Sequence, residues 1–175
     1  LLFLTKPLGV GMLTTAEKKG LLAAGHQSLA RETMLKSNRI GVDLARVAGV
    51  HAMTDVTGFG LAGHLAEVCA ASGVAARIDF RRLPRLAEAE AYRRQGAVPG
   101  GTLRNRQALG ESLPEMDEVH WQWLCDPQTS GGLLLSVDPA WEDDVERIGR
   151  DHGIELVPFG EVVKAEGPAL IEVIG

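Results

Sequence analysis

Apolar and polar positions alternate along the chain with two different periods, which predict strands and helices in a mixed order. Alternating or continuous apolar runs predict strands, and apolar residues three or four positions apart predict helices. The predicted strands are residues 1–5, 52–55, 74–80, 133–137, 158–163 and 170–174, with another ending at 123–125. The predicted helices are a short one that starts at 14, two pieces within 28–48, then 60–72, 85–95 and a segment after 138. Because strands and helices do not alternate strictly, we predict an α+β fold, a layered domain whose mixed β-sheet is covered by helices.

Several helix ends carry a sequence signature. Thr14 is followed three residues later by Glu17, which is the spacing of a capping box. Asn38 is expected to cap the second piece of the helical region within 28–48, and Asp138 is expected to cap the last helix. Residues 96–105 are rich in glycine and contain a proline, so they predict a loop.

Composition narrows the class of protein. A chain of 175 residues with 45% hydrophobic and 23% charged residues is long enough for one globular domain. The 21 glycines exceed the usual share of about 7% and indicate many special turns. A net charge of −5 argues against nonspecific binding to nucleic acid, which depends on Lys and Arg.

No apolar run is long enough to span a bilayer, so we expect no membrane association. Cys69 and Cys125 offer neither a disulfide framework nor zinc-ligand spacing, so we interpret them as buried thiols and expect a cytoplasmic protein. The chain opens on an apolar run that starts with leucine, which suggests a piece of a longer protein.

The segment 54–60, TDVTGFG, is the strongest candidate for chemistry. It joins a predicted strand to a predicted helix and begins a literal GxGxxG pattern over 58–63. We disfavour a dinucleotide site, because the strand before it is interrupted by polar residues. Since a carboxylate beside a phosphate-binding turn needs a bridging cation, Asp55 is interpreted as a Mg²⁺ ligand, and a turn or capping role stays open.

Other polar segments allow two interpretations each. Residues 126–132, DPQTSGG, could point backbone N–H groups at an anion or form a plain hairpin turn. Lys6 could direct its ammonium at phosphate or be solvated. His64 is interpreted as structural, and five arginines are interpreted as a solvated helical face: Arg81, Arg82, Arg85, Arg93 and Arg94.

Four strings together resemble a known family. They are TKPLG at 5–9, TDVTGFG at 54–60, PGGT at 99–102 and CDPQTSGG at 125–132. In this order they resemble the C-terminal domain of the selenophosphate synthetases, the selenide, water dikinases. The resemblance extends to a superfamily that includes aminoimidazole ribonucleotide synthetase and thiamine-monophosphate kinase, and it implies an aminoimidazole ribonucleotide synthetase-like C-terminal domain over residues 1–175.

The resemblance implies an ATP-dependent phosphotransferase that makes selenophosphate from selenide, ATP and water, releasing AMP and phosphate. Asp55 would bind Mg²⁺, while Thr54, Thr57 and Gly58 would shape its loop. The resemblance places the glycine-rich nucleotide loop and the reactive Cys or Sec in an N-terminal domain outside this chain, and it implies a homodimer. We therefore expect this chain to be inactive alone. The alternatives are a regulatory or interaction module of the same fold, or another kinase of the superfamily.

Overall fold

The computed structural model describes all of residues 1–175, which form six strands and eight helices. The strands are β1 (Leu2–Leu4), β2 (Val50–Asp55), β3 (Val74–Asp79), β4 (Leu133–Val137), β5 (Gly160–Lys164) and β6 (Ile171–Ile174). The helices are α1 (Val10–Lys18), α2 (Leu29–Leu35), α3 (Gly41–Leu44), α4 (Gly60–Ser72), α5 (Ala87–Arg94), α6 (Gly100–Leu109), α7 (Glu118–Leu124) and α8 (Glu142–Asp151). None of the eight helices has the length and apolar character that crossing a bilayer requires.

All six strands belong to one mixed sheet in the order β2-β4-β1-β5-β3-β6. Neighbouring strands are antiparallel except for β3 and β6, which are parallel. In the register of β1 with β4, Leu2 lies opposite Ser136 and Leu4 lies opposite Leu134. This architecture confirms the predicted α+β fold with a mixed sheet covered by helices.

The apolar core lies on both faces of the sheet. Leu2 and Leu4 belong to a cluster of 28 buried residues that includes side chains of α1, α4 and α7. Phe3, between them, belongs to a second cluster of 8 residues with α3 and α8. Because successive side chains of a strand point to opposite faces, the short apolar β1 contributes to both clusters.

Two helix ends agree with the sequence prediction. Helix α4 covers the predicted residues 60–72 and stops before Gly73. Asp138 caps the turn that leads into α8, and its Oδ1 accepts a hydrogen bond of 2.8 Å from the backbone N–H of Ala140. In both cases the terminating or capping residue is local, so the sequence signal is sufficient.

Two predicted caps are wrong. Helix α1 starts at Val10, so Thr14 lies inside it and donates its hydroxyl to the carbonyl of Gly11. The predicted break near Asn38 exists, but that residue does not cap α3, which has Ile40 at its N-cap position. The Asn38 amide instead donates to the carbonyl of Gly131 over 2.9 Å. Thr14 thus bonds within its own helix, whereas Asn38 has a distant partner in place of the local one that the pattern assumed.

Two element assignments are also wrong. Residues 123–125 end a helix, α7, rather than a strand, because its apolar side chains pack into the larger cluster along one helical face. Residues 100–105 form the first half of α6, with Pro99 before its first turn, rather than a loop. Proline is accepted at a helix start, and the helix gains stability by packing against α4 and α7.

The predicted arginine face is only partly solvated. Arg94 is exposed and pairs with Glu90, as a surface helix allows. The side chain of Arg93 is only 12% exposed and binds the same carboxylate, which holds the pKa of Glu90 at about 2. Arg85 lies over the ring of Phe80 with 4.3 Å between its Cζ and the ring centroid.

Candidate functional site

Three of the motif segments meet at one edge of the sheet, where β2 ends and β4 begins. In this register Asp55 lies opposite Leu133, and the backbone N–H of Val56 donates to the carbonyl of Gly132 over 2.8 Å. On the other side of β4, the N–H of Thr5 donates to the carbonyl of Leu133. The TKPLG turn (5–9), the TDVTGFG loop (54–60) and the DPQTSGG loop (126–132) are therefore neighbours in space.

The two loops pack with backbone against backbone. A Cβ atom on Gly131 would stand 2.2 Å from the carbonyl oxygen of Val56, so no larger residue fits there. Gly60 has a φ of 72°, and a Cβ atom on it would lie 2.8 Å from the carbonyl carbon of Cys125. The glycines of these motifs thus allow close contact between the loops.

Asp55 is the last residue of β2 and is exposed to solvent. Its carboxylate has no hydrogen-bond or ion-pair partner among the side chains or backbone groups of the chain. No group of three or more His, Cys, Asp or Glu side chains could hold a metal ion. The single Asp55 carboxylate fits a Mg²⁺ ion that is held jointly by one or two carboxylates, phosphate and water, as in nucleotide sites.

The other residues of the TDVTGFG loop are held by hydrogen bonds within the chain. Nε2 of His64 accepts from the backbone N–H of Thr57 over 3.0 Å and lies 2.9 Å from the Thr57 hydroxyl. This assigns the ring proton to Nδ1, which is 3.3 Å from Oε2 of Glu67. His64 is buried and structural, as predicted, and Thr57 faces it rather than open solvent.

Thr54 directly precedes Asp55 in the sequence, and Gly58 follows it three residues later. The Thr54 hydroxyl makes a long contact of 3.4 Å with the backbone carbonyl of Asp55. Gly58 is exposed, and its carbonyl accepts a hydrogen bond of 2.8 Å from the side-chain amide of Asn105 in α6. The same amide donates to the carbonyl of Cys125 over 3.0 Å, so one side chain joins both loops.

Lys6 lies inside the protein rather than in solvent. The residue is 3% exposed, and its Nζ donates to the carbonyl of Ser130 over 2.7 Å. Burial lowers the pKa of Lys6, and the charge of Lys36 lowers it further. Ser130 has a φ of 53° and is the one non-glycine residue with positive φ, which marks the DPQTSGG loop as a constrained conformation.

The DPQTSGG loop also caps α1, a role that neither sequence interpretation included. The N–H of Gly11 donates to Oδ2 of Asp126 over 3.1 Å, and that of Val10 donates to Oε1 of Gln128 over 3.4 Å. Asp126 has no exposed surface, and burial raises its pKa to about 7 although the bond from Gln128 opposes this shift. Helix N-termini stabilise acceptors, so the loop closes the free end of α1.

Sequence reasoning missed Asn105 and Asp126 for different reasons. Asn105 lies in a segment that was predicted to be a loop, and no local pattern signals that a helical amide reaches two distant carbonyls. Asp126 lies beside a proline, which is typical of a turn, and its contact with Gly11 joins residues 115 positions apart. Only an unusual run of polar residues between two apolar segments pointed to this loop.

Neither cysteine has the properties of a nucleophile. Cys69 and Cys125 are both free and buried. Burial raises the pKa of the Cys69 thiol to about 11 and that of the Cys125 thiol to about 12. The thiolate is the reactive form, so both side chains act as apolar core residues, in agreement with the prediction from sequence.

Comparisons with known proteins show which families this chain resembles. The chain is 58% identical over 173 residues, or 98% of its length, to a Photorhabdus laumondii protein named "Selenide, water dikinase" and covers 50% of that protein. It is 53% identical to the Escherichia coli (strain K12) protein of the same name, again over 98% of this chain and 50% of the relative. The chain thus spans about half the length of the curated relatives it matches.

Solved structures show the same fold at low sequence identity. Thiamine-monophosphate kinase from Stenotrophomonas maltophilia K279a superposes with a TM-score of 0.65 and 20% identity over 99% of this chain and 49% of that one. The hydrogenase maturation protein HypE in complex with ATP gives a TM-score of 0.64 and 17% identity over 94% and 42%. The family described as "AIR synthase related protein, C-terminal domain" matches residues 1–172. This chain therefore belongs to the family of AIR synthase related proteins, C-terminal domain.

Proposed function

We propose that this chain is the C-terminal half of a selenide, water dikinase, which converts selenide, ATP and water to selenophosphate, AMP and phosphate. The observation that carries the proposal is the 58% identity over 98% of the chain to a protein of that name. Since that relative is about twice as long, we propose that an N-terminal domain supplies the glycine-rich nucleotide loop and the reactive Cys or Sec.

Within this chain, Asp55 is proposed as a ligand of the Mg²⁺ that accompanies ATP. Its carboxylate is exposed and unpaired at an edge of the sheet, so it is available to a cation without breaking an existing bond. Bound Mg²⁺ would neutralise charge on the phosphate groups during transfer. The carboxylate is held in place by the rigid end of β2, where Asp55 pairs with Leu133.

The neighbouring residues are proposed to keep this edge in shape. Thr57 is fixed by His64, and Gly58 is fixed by Asn105, so the backbone between Asp55 and α4 is held at two points. The space beside Gly58 is open, since a Cβ atom there would meet no other atom within 4 Å. Lys6, whose positive charge lies at the same edge, is proposed to favour the anionic substrate.

The test is Asp55→Asn in the full-length protein, which keeps the shape of the side chain and removes its charge. We expect selenide-dependent formation of AMP from ATP to fall at least about a hundredfold, as the loss of a metal ligand implies, while the melting temperature stays within about 2 °C. The matched control is Asp143→Asn, an exposed aspartate on α8 without an ion-pair partner, which should leave the activity unchanged.

An Asp55→Asn protein with normal activity would overturn the role of this residue. Replacing selenide by thiamine monophosphate separates the proposed reaction from that of another kinase of the superfamily, and we expect activity with selenide alone. If the full-length protein consumes no ATP with any acceptor, the alternative of a regulatory or interaction module replaces the proposal. The chain of residues 1–175 by itself is expected to be inactive.

We also propose that the full-length protein is a homodimer that acts in the cytoplasm. The support for the compartment is that Cys69 and Cys125 are free thiols, as is usual in a reducing environment. Size-exclusion chromatography with light scattering of the full-length protein tests the dimer, and cell fractionation tests the compartment.

A further inference from the structure

The side chain of Lys6 lacks a counterion. Its Nζ has three N–H donors but makes one hydrogen bond, to the neutral carbonyl of Ser130. No carboxylate lies within ion-pair distance of it, although the residue is only 3% exposed. A charge that is partly removed from water without a counterion is costly to the folded state, and an anion beside it would offset that cost.

A second unpaired cation lies near Lys6. Lys36 follows α2, is exposed, and makes no ion pair, and its charge contributes to the lowered pKa of Lys6. Two like charges near each other repel, whereas an anion close to both would be attracted by both. The pair therefore has the electrostatic character of an anion site rather than that of a structural salt bridge.

The two lysines line one cavity of about 210 Å³, together with Thr5, Pro7 and the exposed Glu155. This volume is below the range of about 300–1,000 Å³ that is typical of pockets for drug-sized ligands, and it exceeds the roughly 30 Å³ of one water molecule several times. A small tetrahedral oxyanion fits these dimensions better than a whole nucleotide. Glu155 is the one carboxylate in the lining and opposes an anion.

We propose that Lys6 and Lys36 form a binding site for a small tetrahedral oxyanion of the orthophosphate class. The biological role rests on the proposed function, in which the two terminal phosphates of ATP leave as two separate products of this size, orthophosphate and selenophosphate. The site lies next to the TKPLG turn at the sheet edge that carries Asp55, with the DPQTSGG loop between them. It receives one of these products after transfer.

The experiment is calorimetric titration of residues 1–175 with sodium orthophosphate at constant ionic strength, and the same titration of the full-length protein. We expect one saturable site with a dissociation constant in the millimolar range. Lys36→Gln removes one of the two charges at an exposed position and should weaken binding about tenfold, or about 1.4 kcal/mol. Glu155→Gln removes the opposing charge and should tighten binding about threefold.

Two controls identify the site and the ligand class. Lys18→Gln removes an exposed lysine on α1, outside the cavity, and should leave the dissociation constant unchanged. AMP, whose phosphate carries a nucleoside, should bind at least about tenfold more weakly than orthophosphate because the cavity is small. Lys6→Met is examined in addition, with its fold checked by circular dichroism, and should abolish saturable binding.

The outcomes separate this proposal from the proposed function. Absence of saturable binding, an equal loss in Lys36→Gln and Lys18→Gln, or tighter binding of AMP than of orthophosphate overturns the oxyanion site. If orthophosphate binds as expected but the full-length protein forms no selenide-dependent AMP, the proposed function is wrong and the site stands. If the enzyme is active but Lys36→Gln binds orthophosphate normally, the site is wrong and the proposed function stands.

Discussion

At the scale of single residues, the charge state of Asp126 links the stability of the fold to pH. Its carboxyl group is fully buried at the N-terminus of α1, and burial raises its pKa to about 7 from the ordinary value of 3.8. Between these two values the folded state holds a proton that the unfolded state has released. Stability contributed by the protonated form is therefore present below pH 4 and is lost as the pH rises towards 7.

We predict that Asp126→Asn removes this pH dependence. The amide resembles the protonated carboxyl group, so its oxygen can still accept from the N–H of Gly11. At pH 8 the variant should be more stable than the wild type by on the order of 1–3 kcal/mol, and the difference should disappear near pH 4. Urea unfolding at a series of pH values measures it, with Asp143→Asn as the exposed control. A constant difference between variant and wild type across this range would contradict the prediction.

The contribution of Glu90 to stability changes with pH in the opposite direction. Hydrogen bonds from Arg93, and smaller contributions from Arg94 and Trp123, lower the pKa of Glu90 to about 2, although burial opposes this shift. The folded state therefore stabilises the carboxylate, and this contribution is present above the ordinary pKa of 4.5 and is lost as the pH falls towards 2. The Glu90 carboxylate also joins α5 to α7, because it accepts a hydrogen bond from the Trp123 indole.

At the scale of elements, α6 determines how the two loops of the site are joined. Asn105 is its only side chain that donates to the TDVTGFG loop, through the carbonyl of Gly58, and it also reaches the carbonyl of Cys125. Neither loop is connected to the other by a short chain segment, so their contact depends on backbone hydrogen bonds and on this amide. Helix α6, whose glycine-rich start had been predicted as a loop, thus supports the candidate site.

We predict that Asn105→Ala loosens this connection without unfolding the protein. Two hydrogen bonds to backbone carbonyls are lost, which should lower the free energy of unfolding by about 1–2 kcal/mol. The matched control, Gln107→Ala on the same helix, removes an exposed amide that makes no hydrogen bond and should change stability by less than about 0.5 kcal/mol. Chemical denaturation followed by circular dichroism measures both, and equal effects of the two variants would refute the role of Asn105.

At the scale of the whole molecule, the sheet couples the two apolar clusters. Strand β1 gives Leu2 and Leu4 to the larger cluster and Phe3 to the smaller one, so loss of this strand would disrupt the packing of both clusters. The strand is also central, between β4 and β5. Cooperative unfolding of the whole chain is the physical consequence, since the shared strand is part of both cores.

We predict a single unfolding transition for residues 1–175 in urea. Trp141→Phe leaves Trp121 and Trp123, which pack in or against the larger cluster, so the fluorescence of this variant reports on that cluster alone. Circular dichroism reports on all helices and strands. The two midpoints should coincide within about 0.2 M, as two-state behaviour requires. Separate midpoints, or strong binding of a hydrophobic dye in native buffer, would show that the clusters unfold independently.

The sequence by itself determined the elements whose signals are local. Helix α4 and its end before Gly73, the cap at Asp138 and strands β1 and β4 follow from periodicity and capping chemistry within a few residues. The α+β class follows from the order of these elements. The motif segments were recognisable because runs of turn-forming and polar residues interrupt an otherwise apolar pattern. Asp55 could be singled out because it ends a predicted strand just before a glycine-rich turn and a predicted helix.

Tertiary structure alone decided which groups are partners. Thr14 and Asn38 have the chemistry of helix caps, yet α1 is capped by Asp126 and Gln128, which lie at least 115 positions further along the chain. The glycine-rich start of α6 became helical because packing supplied what local propensity lacks. Burial of Lys6 and of Asp126, and hence their shifted pKa values, depends on residues more than a hundred positions away. A local pattern carries no information about such contacts, because strand order and loop packing are properties of the folded chain.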